Sequence, residues 1–412
     1  MAIQPSKLII TFAALATICF AGWFMDLSKT VVALPKTQGD ATELQIYISN
    51  PQIVKSFVEQ YKETGDRKGV FATLWRFGSE KFHGSIKSLF AFDFTSVTIN
   101  ASDSFKALKW AIRYHYIYSV IFFAIALTVT AITGGSLCRI AALQIARGEK
   151  PGIIEALRFS TKRFLSLFAT PLMPIGIIIC IGLFIFILGL IGNLPVIGEL
   201  TIAVLMPLAL IAGTFVALFS IGTVAGFNLM YPAIAYDGSD CFDAISRSFS
   251  YIYSKPWQMG FYTAIAAVYG AICYIFARFF IFLLLWSTHW FLQLGVRADN
   301  SSNEVNKLAA IWPSPSFAGL RGITSWATLN WSESWAAFLI YMLLLIAVGL
   351  LVSFVINFYF SANTTIYALM RNRVDNTALE DIYTPSADEV EAEQFSTDTE
   401  LETHLTSSDS DQ

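Results

Sequence analysis

The sequence predicts an all-α protein, a polytopic membrane helix bundle with about six transmembrane helices and two amphipathic helices lying along the cytoplasmic interface. Three observations carry this. Hydrophobic residues are 55% of the 412 and charged ones 14%, where a soluble domain would carry roughly a quarter charged residues. The missing charge is concentrated in uncharged runs long enough to cross a bilayer. A basic amphipathic unit joining two such runs, residues 132–174, recurs at 234–257 and more weakly after Ser361.

The first apolar run, 8–25, follows a single Lys7. It reads as an uncleaved anchor or as a cleaved signal whose processing site would be Val31-Val32-Ala33. The long gap between Met25 and Ala33 favours the anchor. Either way, residues 26–113 fall outside the cytoplasm. Asn50 followed by Pro51 starts a helix there, with Ile53, Val54, Phe57, Val58 and Tyr61 on its apolar side. Thr64 to Gly69 reads as a turn, and 70–94 is aromatic with Lys and Arg interleaved. Ser102 or Asp103 can cap a further helix, 104–113. This region is either an extracytoplasmic ligand-binding cap or a set of amphipathic helices on the bilayer interface. Its aromatic–basic interleaving favours the interface.

The membrane bundle follows over 114–383, with spans at 114–137, 168–191, 200–231, 259–286 and 335–360. Pro171 and Pro174 sit near the start of the third span, where a missing amide costs little. The fourth is too long for one straight crossing, and Pro207 is the expected place for a kink or tilt. Elbows at 138–165 and 237–257 and an outer loop at 288–333 join the spans.

Orientation rests on the basic residues. The first elbow carries Arg139, Arg147, Lys150, Arg158, Lys162 and Arg163, and the second Arg247 and Lys255, whereas 192–200 has no positive charge. Both elbows and both termini are therefore expected in the cytoplasm. All 27 Lys and Arg precede Val374, and twelve of the 30 acids follow Arg373. The body is basic, and 384–412 reads as a disordered acidic tail.

The two elbows share a design. Aligning Glu155-Ala156-Leu157 with Asp243-Ala244-Ile245 also brings Gly134 onto Gly222 and Ser166 onto Ser254. The first surface helix carries a stripe of Ile153, Ile154, Leu157, Thr161 and Phe164, and the second one of Phe242, Ile245, Phe249 and Ile252. Such a stripe faces lipid or the bundle. The basic residues of both elbows are candidates for docking anionic lipid or the acidic tail.

Chemistry is sparse. Asp237, Asp240 and Asp243 are spaced three apart at the membrane surface, a pattern that could hold a divalent cation but that helix capping also explains. Arg278 lies inside the fifth apolar run, where an ionised residue is costly and often functional; snorkelling, or pairing with Glu199, is the structural alternative. Gly176, Gly182, Gly189, Gly213, Gly222 and Gly226 permit close helix packing, and Asn228 and Asn357 can bond across helices. The five cysteines and four histidines show no disulfide framework or ligand spacing. No nucleotide-binding or hydrolase motif occurs, and no cofactor is called for.

Three blocks carry a resemblance: GGSLCRIAALQIARGEKPGIIEALRFSTKRF, GTVAGFNLMYPAIAYDGSDCFDAISRSFSYIYSKPW and TTIYALMRNRVDNTALEDIY. They resemble an uncharacterised family of multi-pass inner-membrane proteins typical of planctomycete bacteria, over about 70–383. The resemblance implies a bacterial inner membrane and carries no activity. The leading functional expectation is a non-enzymatic component that organises a membrane complex or lipid environment. A solute or lipid transporter using the bundle interior and Arg278 is the alternative, and a lipid-modifying enzyme built on the three aspartates is the least favoured. Expected partners are the bilayer, anionic lipids and a protein that takes the tail, with no nucleic acid.

Overall fold

A computed structural model describes residues 4–35, 41–193, 197–295, 307–317, 319–320 and 330–384. The acidic tail from Pro385 onward, and with it the expected disorder, lies outside the described residues, as does part of the 192–200 turn. The chain is an all-α helix bundle. Among the described residues, six helices are long and apolar enough to cross a membrane: α1 (Pro5–Met25), α6 (Tyr116–Ala146), α9 (Met173–Ile191), α10 (Ile197–Asp237), α12 (Pro256–Gly295) and α14 (Trp331–Asp375).

Between α1 and α6 lie α2 (Glu43–Ser49), α3 (Val54–Gln60), α4 (Val70–Phe90) and α5 (Phe94–Tyr114), with two short antiparallel strands, β1 (Val31–Ala33) and β2 (Asp66–Lys68). The first elbow holds α7 (Ile153–Lys162) and α8 (Phe164–Ala169), the second α11 (Cys241–Ser254), and α13 (Lys307–Ile311) precedes α14.

The bundle is built on α1, α6, α10 and α14, which pack against one another. α1 is thus an integral member, not a separate anchor. Lys7 is not a flanking surface charge either: it is fully buried and donates to Ser361 Oγ of α14 at 3.2 Å, while Thr11 Oγ1 donates to Asn357 Oδ1 at 2.5 Å. α9 packs on α10 and α12 on α14, each at the edge of the bundle. Consequently Gly176, Gly182, Gly189 and Gly213 support no close packing, since a Cβ at any of them would meet nothing within 4 Å. Gly222 and Gly226 do, beneath Phe249 and Ile252 of α11. α10 runs as one helix through both Pro207 and Pro232.

α10, α12 and α14 are 40 to 45 residues long, about 60–68 Å at 1.5 Å per residue, so each reaches well beyond a hydrocarbon core of about 30 Å. The surplus of α10 and α14 extends the bundle core onto the elbow face. Tyr236, Ala244, Tyr251, Tyr367, Met370 and Ile382 are buried there.

On the opposite face, residues 26–35 and 41–114 form a folded cap. Val31, Leu44, Tyr47, Val54, Val70 and Trp110 make its core. Val31-Val32-Ala33 is strand β1, paired with the Asp66–Lys68 end of the expected turn. The cap helix before the bundle begins at Phe94 rather than at 104, because Asp93 caps it: its carboxylate accepts Ser96 N at 3.1 Å. Asp103 sits mid-helix instead and binds Lys81 at 2.7 Å and Lys106 at 3.0 Å. The cap also joins the bundle through Asp26, whose carboxylate accepts the first amides of α4, from Phe71 and Ala72, and the Tyr118 hydroxyl of α6. Phe90, Phe92, Phe94 and Phe105 remain exposed on the α4–α5 hairpin. The region therefore combines a packed cap with an exposed aromatic edge.

Candidate functional site

The elbow face carries the densest polar chemistry. α10 ends at Asp237, and Gly238 turns the chain with φ +63°. The ring of Tyr383 occupies the space a Cβ would need there, at 2.5 Å, so glycine is required twice over. The Asp237 carboxylate is 5% exposed: one oxygen accepts from Arg247 NH1 of α11 at 3.2 Å and from the Tyr367 hydroxyl, and the other forms an ion pair with Arg371 Nε of α14 at 3.1 Å without hydrogen-bond geometry. Arg371 also binds the carbonyl and carboxylate of Asp381, at 2.6 and 3.1 Å. Burial acts against the Arg247 guanidinium, but its bonds to Asp243 and Asp237 more than offset that and raise its pKa. Burial, joined by the bond to Asp375, likewise raises the Tyr251 hydroxyl.

This network locks three elements to the segment 376–384, which crosses the elbow face as a clasp. Arg139 donates to Ala235 O at 3.0 Å and Tyr383 O at 2.9 Å, with its guanidinium 4.8 Å above the Phe159 ring. The Tyr383 amide donates to Tyr236 O, and the Tyr236 hydroxyl donates to Leu379 O.

The eight basic elbow residues therefore divide. Arg139 is buried, Arg247 is engaged by two aspartates, and Lys255 Nζ donates to Arg373 O at 2.6 Å near the end of α14. Acceptors within the protein thus already engage these three, Arg139 in the interior and Arg247 and Lys255 nearer the surface. Arg163 approaches Asp240 at 3.7 Å and stacks over Tyr383. Arg147, Lys150, Arg158 and Lys162 are exposed. Ile154 and Leu165, 76% and 79% exposed, and Trp257, 91% exposed, lie on the same elbows. In α7 it is Ala156 and Ser160 that meet α6, with Ser136 Oγ donating to Ser160 Oγ at 2.9 Å, so Ile154 of the stripe is left exposed. α11 repeats the contact with Ala244 and Ser248. It differs in burying Ile245 and Ile252, so that part of its stripe serves the bundle while Phe242 stays exposed.

The three aspartates do not converge on an open site. Asp237 and Asp243 are taken by arginines, and Asp240 is the backbone N-cap of α11. The Asp240 side chain makes no capping hydrogen bond, so ion pairs rather than the expected capping engage all three carboxylates. No grouping of three or more His, Cys, Asp or Glu occurs among the described residues.

On the cap face Arg278 is buried in α12. Its Nε and NH2 donate to Phe317 O at 3.1 and 2.7 Å, and NH1 donates to the Tyr274 hydroxyl at 2.9 Å. Glu199 is exposed in the first turn of α10 and forms no ion pair with Arg278; it sits on the α9–α10 hairpin at the other edge of the bundle. Neither snorkelling nor that pairing describes Arg278. A carbonyl from the 313–317 segment replaces both.

The chain of bonds continues. The Tyr274 hydroxyl lies 2.7 Å from His83 Nε2, and His83 Nδ1 lies 2.6 Å from Ser79 O. A carbonyl only accepts, so Nδ1 carries the proton and Nε2 accepts from Tyr274. Burial holds His83 below its ordinary pKa and keeps it neutral. His83 is 191 positions from Tyr274, and no local signal in either segment points to the other. The chain matches no family model, no curated protein and no solved structure.

Proposed function

We propose that this is a non-enzymatic component of a bacterial inner membrane, with both termini and both elbows cytoplasmic, whose elbow face is a rigid platform on anionic lipid and organises a complex or lipid environment there. One observation carries the reading: the elbow face spends Arg139, Arg247 and Arg371 on internal bonds that make it rigid, yet leaves Arg147, Lys150 and Arg158 exposed with no ion-pair partner among the described residues. Exposed Ile154, Leu165 and Trp257 on the same elbows supply apolar contact. Basic residues beside an apolar stripe are the pattern of interfacial binding to anionic lipid. The orientation rests on the positive-inside bias, and the bacterial setting on the sequence resemblance. The last described residues of the clasp lie beside Arg163, which stacks over Tyr383, and the acidic sequence that follows them supports a role in regulating access to this surface or in recruiting a protein partner.

Purification in mild detergent tests the reading. Enrichment of anionic phospholipid or a stoichiometric protein partner is expected. Substrate-dependent uptake or turnover by the purified protein in proteoliposomes would contradict it, and so would a reporter after Lys255 that scores as extracytoplasmic.

A further inference from the structure

We propose that the cleft between α4, α12 and α14 on the cap face binds one phospholipid, with its phosphate beside Lys87 and an acyl chain between α12 and α14. This inference stands independently of the elbow-face reading.

The cleft has a volume of about 1220 Å³, against about 480 Å³ for the pocket between α12 and α14 nearer the elbows. Ligand pockets for drug-sized molecules run to about 1,000 Å³, so this one admits a larger, chain-bearing molecule. Its walls are graded. Ser79, Glu80, His83 and Lys87 of α4 and Ser314 and Ser316 supply polar groups, while Ile275, Val348, Leu351, Val352 and Val355 supply an apolar surface from the two spans.

Depth selects a lipid over a soluble ligand. Exposed Trp257 and Trp286 lie 29 residues apart on α12, about 44 Å at 1.5 Å per residue, which matches a bilayer of about 40–45 Å including headgroups with a Trp at each interface. Arg278 then lies about 12 Å short of the Trp286 belt. The cleft is therefore open at the level of the cap-face leaflet.

Charge selects the headgroup. Lys87 is exposed and has no ion-pair partner among the described residues, whereas the Arg278 guanidinium is occupied by Phe317 O and Tyr274. Lys87 is thus the cation left for a phosphate, one turn along α4 from neutral His83. Arg278 is a positioning residue that holds Phe317, and with it the 314–317 wall, against α12.

Gly78 gives a clean test. It lines the cleft, and a Cβ there meets nothing within 4 Å, so a large side chain fills the cleft without displacing packed atoms. Full-length protein is reconstituted in vesicles of phosphatidylcholine and phosphatidylglycerol containing a phosphatidylglycerol probe with a photoactivatable acyl chain, and labelled peptides are mapped. Labelling concentrated on α4, α12 and α14 peptides at the cleft is expected, falling at least about tenfold in Gly78→Trp, which takes up the pocket volume the chain needs. Lys87→Glu should lower it about fivefold for phosphatidylglycerol and leave a diacylglycerol probe unaffected. Val352→Trp provides a second block from the opposite wall, with thermal melting as the check on folding. Labelling spread evenly over the lipid-facing helices, or unchanged in both blocked variants, would overturn the proposal. So would a diacylglycerol probe that labels as strongly as the phosphatidylglycerol probe, because the phosphate would then have no role. Gly78→Trp that lowers the melting temperature and leaves labelling unchanged also overturns it.

Discussion

Replacing Asp237 by Ala probes the elbow network at its centre. The carboxylate is 5% exposed and is shared by Arg371, Arg247 and Tyr367. Arg371 keeps only Asp381, and its side chain is 10% exposed, so the variant leaves a mostly buried guanidinium short of its counter-charge. Breaking a buried pair by removing one partner costs about 3–5 kcal/mol. Arg247 adds little to that sum, because at 39% exposure its attraction is screened and it retains Asp243. The expected loss is therefore about 3–5 kcal/mol, read by SDS titration of the purified protein. Asp243→Ala, which removes an exposed i,i+4 pair, should cost only about 0.3–0.5 kcal/mol. Asp237→Ala combined with Arg371→Leu should lose less than the two single losses together, since neither charge is then orphaned. A loss below about 1 kcal/mol for Asp237→Ala, or one equal to that of Asp243→Ala, would refute the view that the elbow face is locked by this group.

Two further predictions follow from the cap face. Arg278→Leu should strand Phe317 O, while the Tyr274 hydroxyl keeps His83, and expose the 313–317 segment to protease at least about tenfold faster, and Arg278→Lys should not restore it, because a point ammonium cannot reproduce the guanidinium fork; protection unchanged in Arg278→Leu would show that Arg278 holds nothing. At the junction of α5 and α6, His115 lies 3.8 Å from buried Glu43, and burial lowers its pKa below 6.5. The unfolded chain then binds a proton that the folded one refuses, so His115 contributes a loss of stability as pH falls below about 6.5. His115→Phe should flatten melting curves in that window, and an unchanged slope would place the titration elsewhere.

Much of the architecture was legible because a bilayer leaves a chain few options. Uncharged runs gave the six spans, and the shared Glu-Ala-Leu and Asp-Ala-Ile registers gave two elbows built alike, each seated by a buried Ala and Ser. The cap was harder. β1 and β2 are three residues each, too short to show a period of two, and the Asp93 cap was masked by a flanking aromatic run. Individual charges were harder still. Arg139 and Arg147 sit in the same basic segment with the same local composition, yet one is buried beneath Tyr383 and the other is exposed. Only the path of 376–384 separates them, and nothing local to the first elbow encodes that path. Arg278 was recognisable as an anomaly within an apolar run, but its partners lie on other segments. Its role as a tether emerged only when Phe317 and His83 were brought beside it.

The claim that the elbow face binds anionic lipid is tested most directly by the lipid that stays with the protein. Arg147→Gln, Lys150→Gln and Arg158→Gln, introduced together, remove three exposed charges and leave the Asp237 network intact. Each basic residue near an anionic surface contributes about 1 kcal/mol, so the triple variant should weaken anionic-lipid association by about 3 kcal/mol, roughly a hundredfold. Lipid co-purified in mild detergent should then fall from enrichment in anionic phospholipid to the composition of the bulk membrane, with thermal melting unchanged. Enrichment that persists in the triple variant would contradict the account.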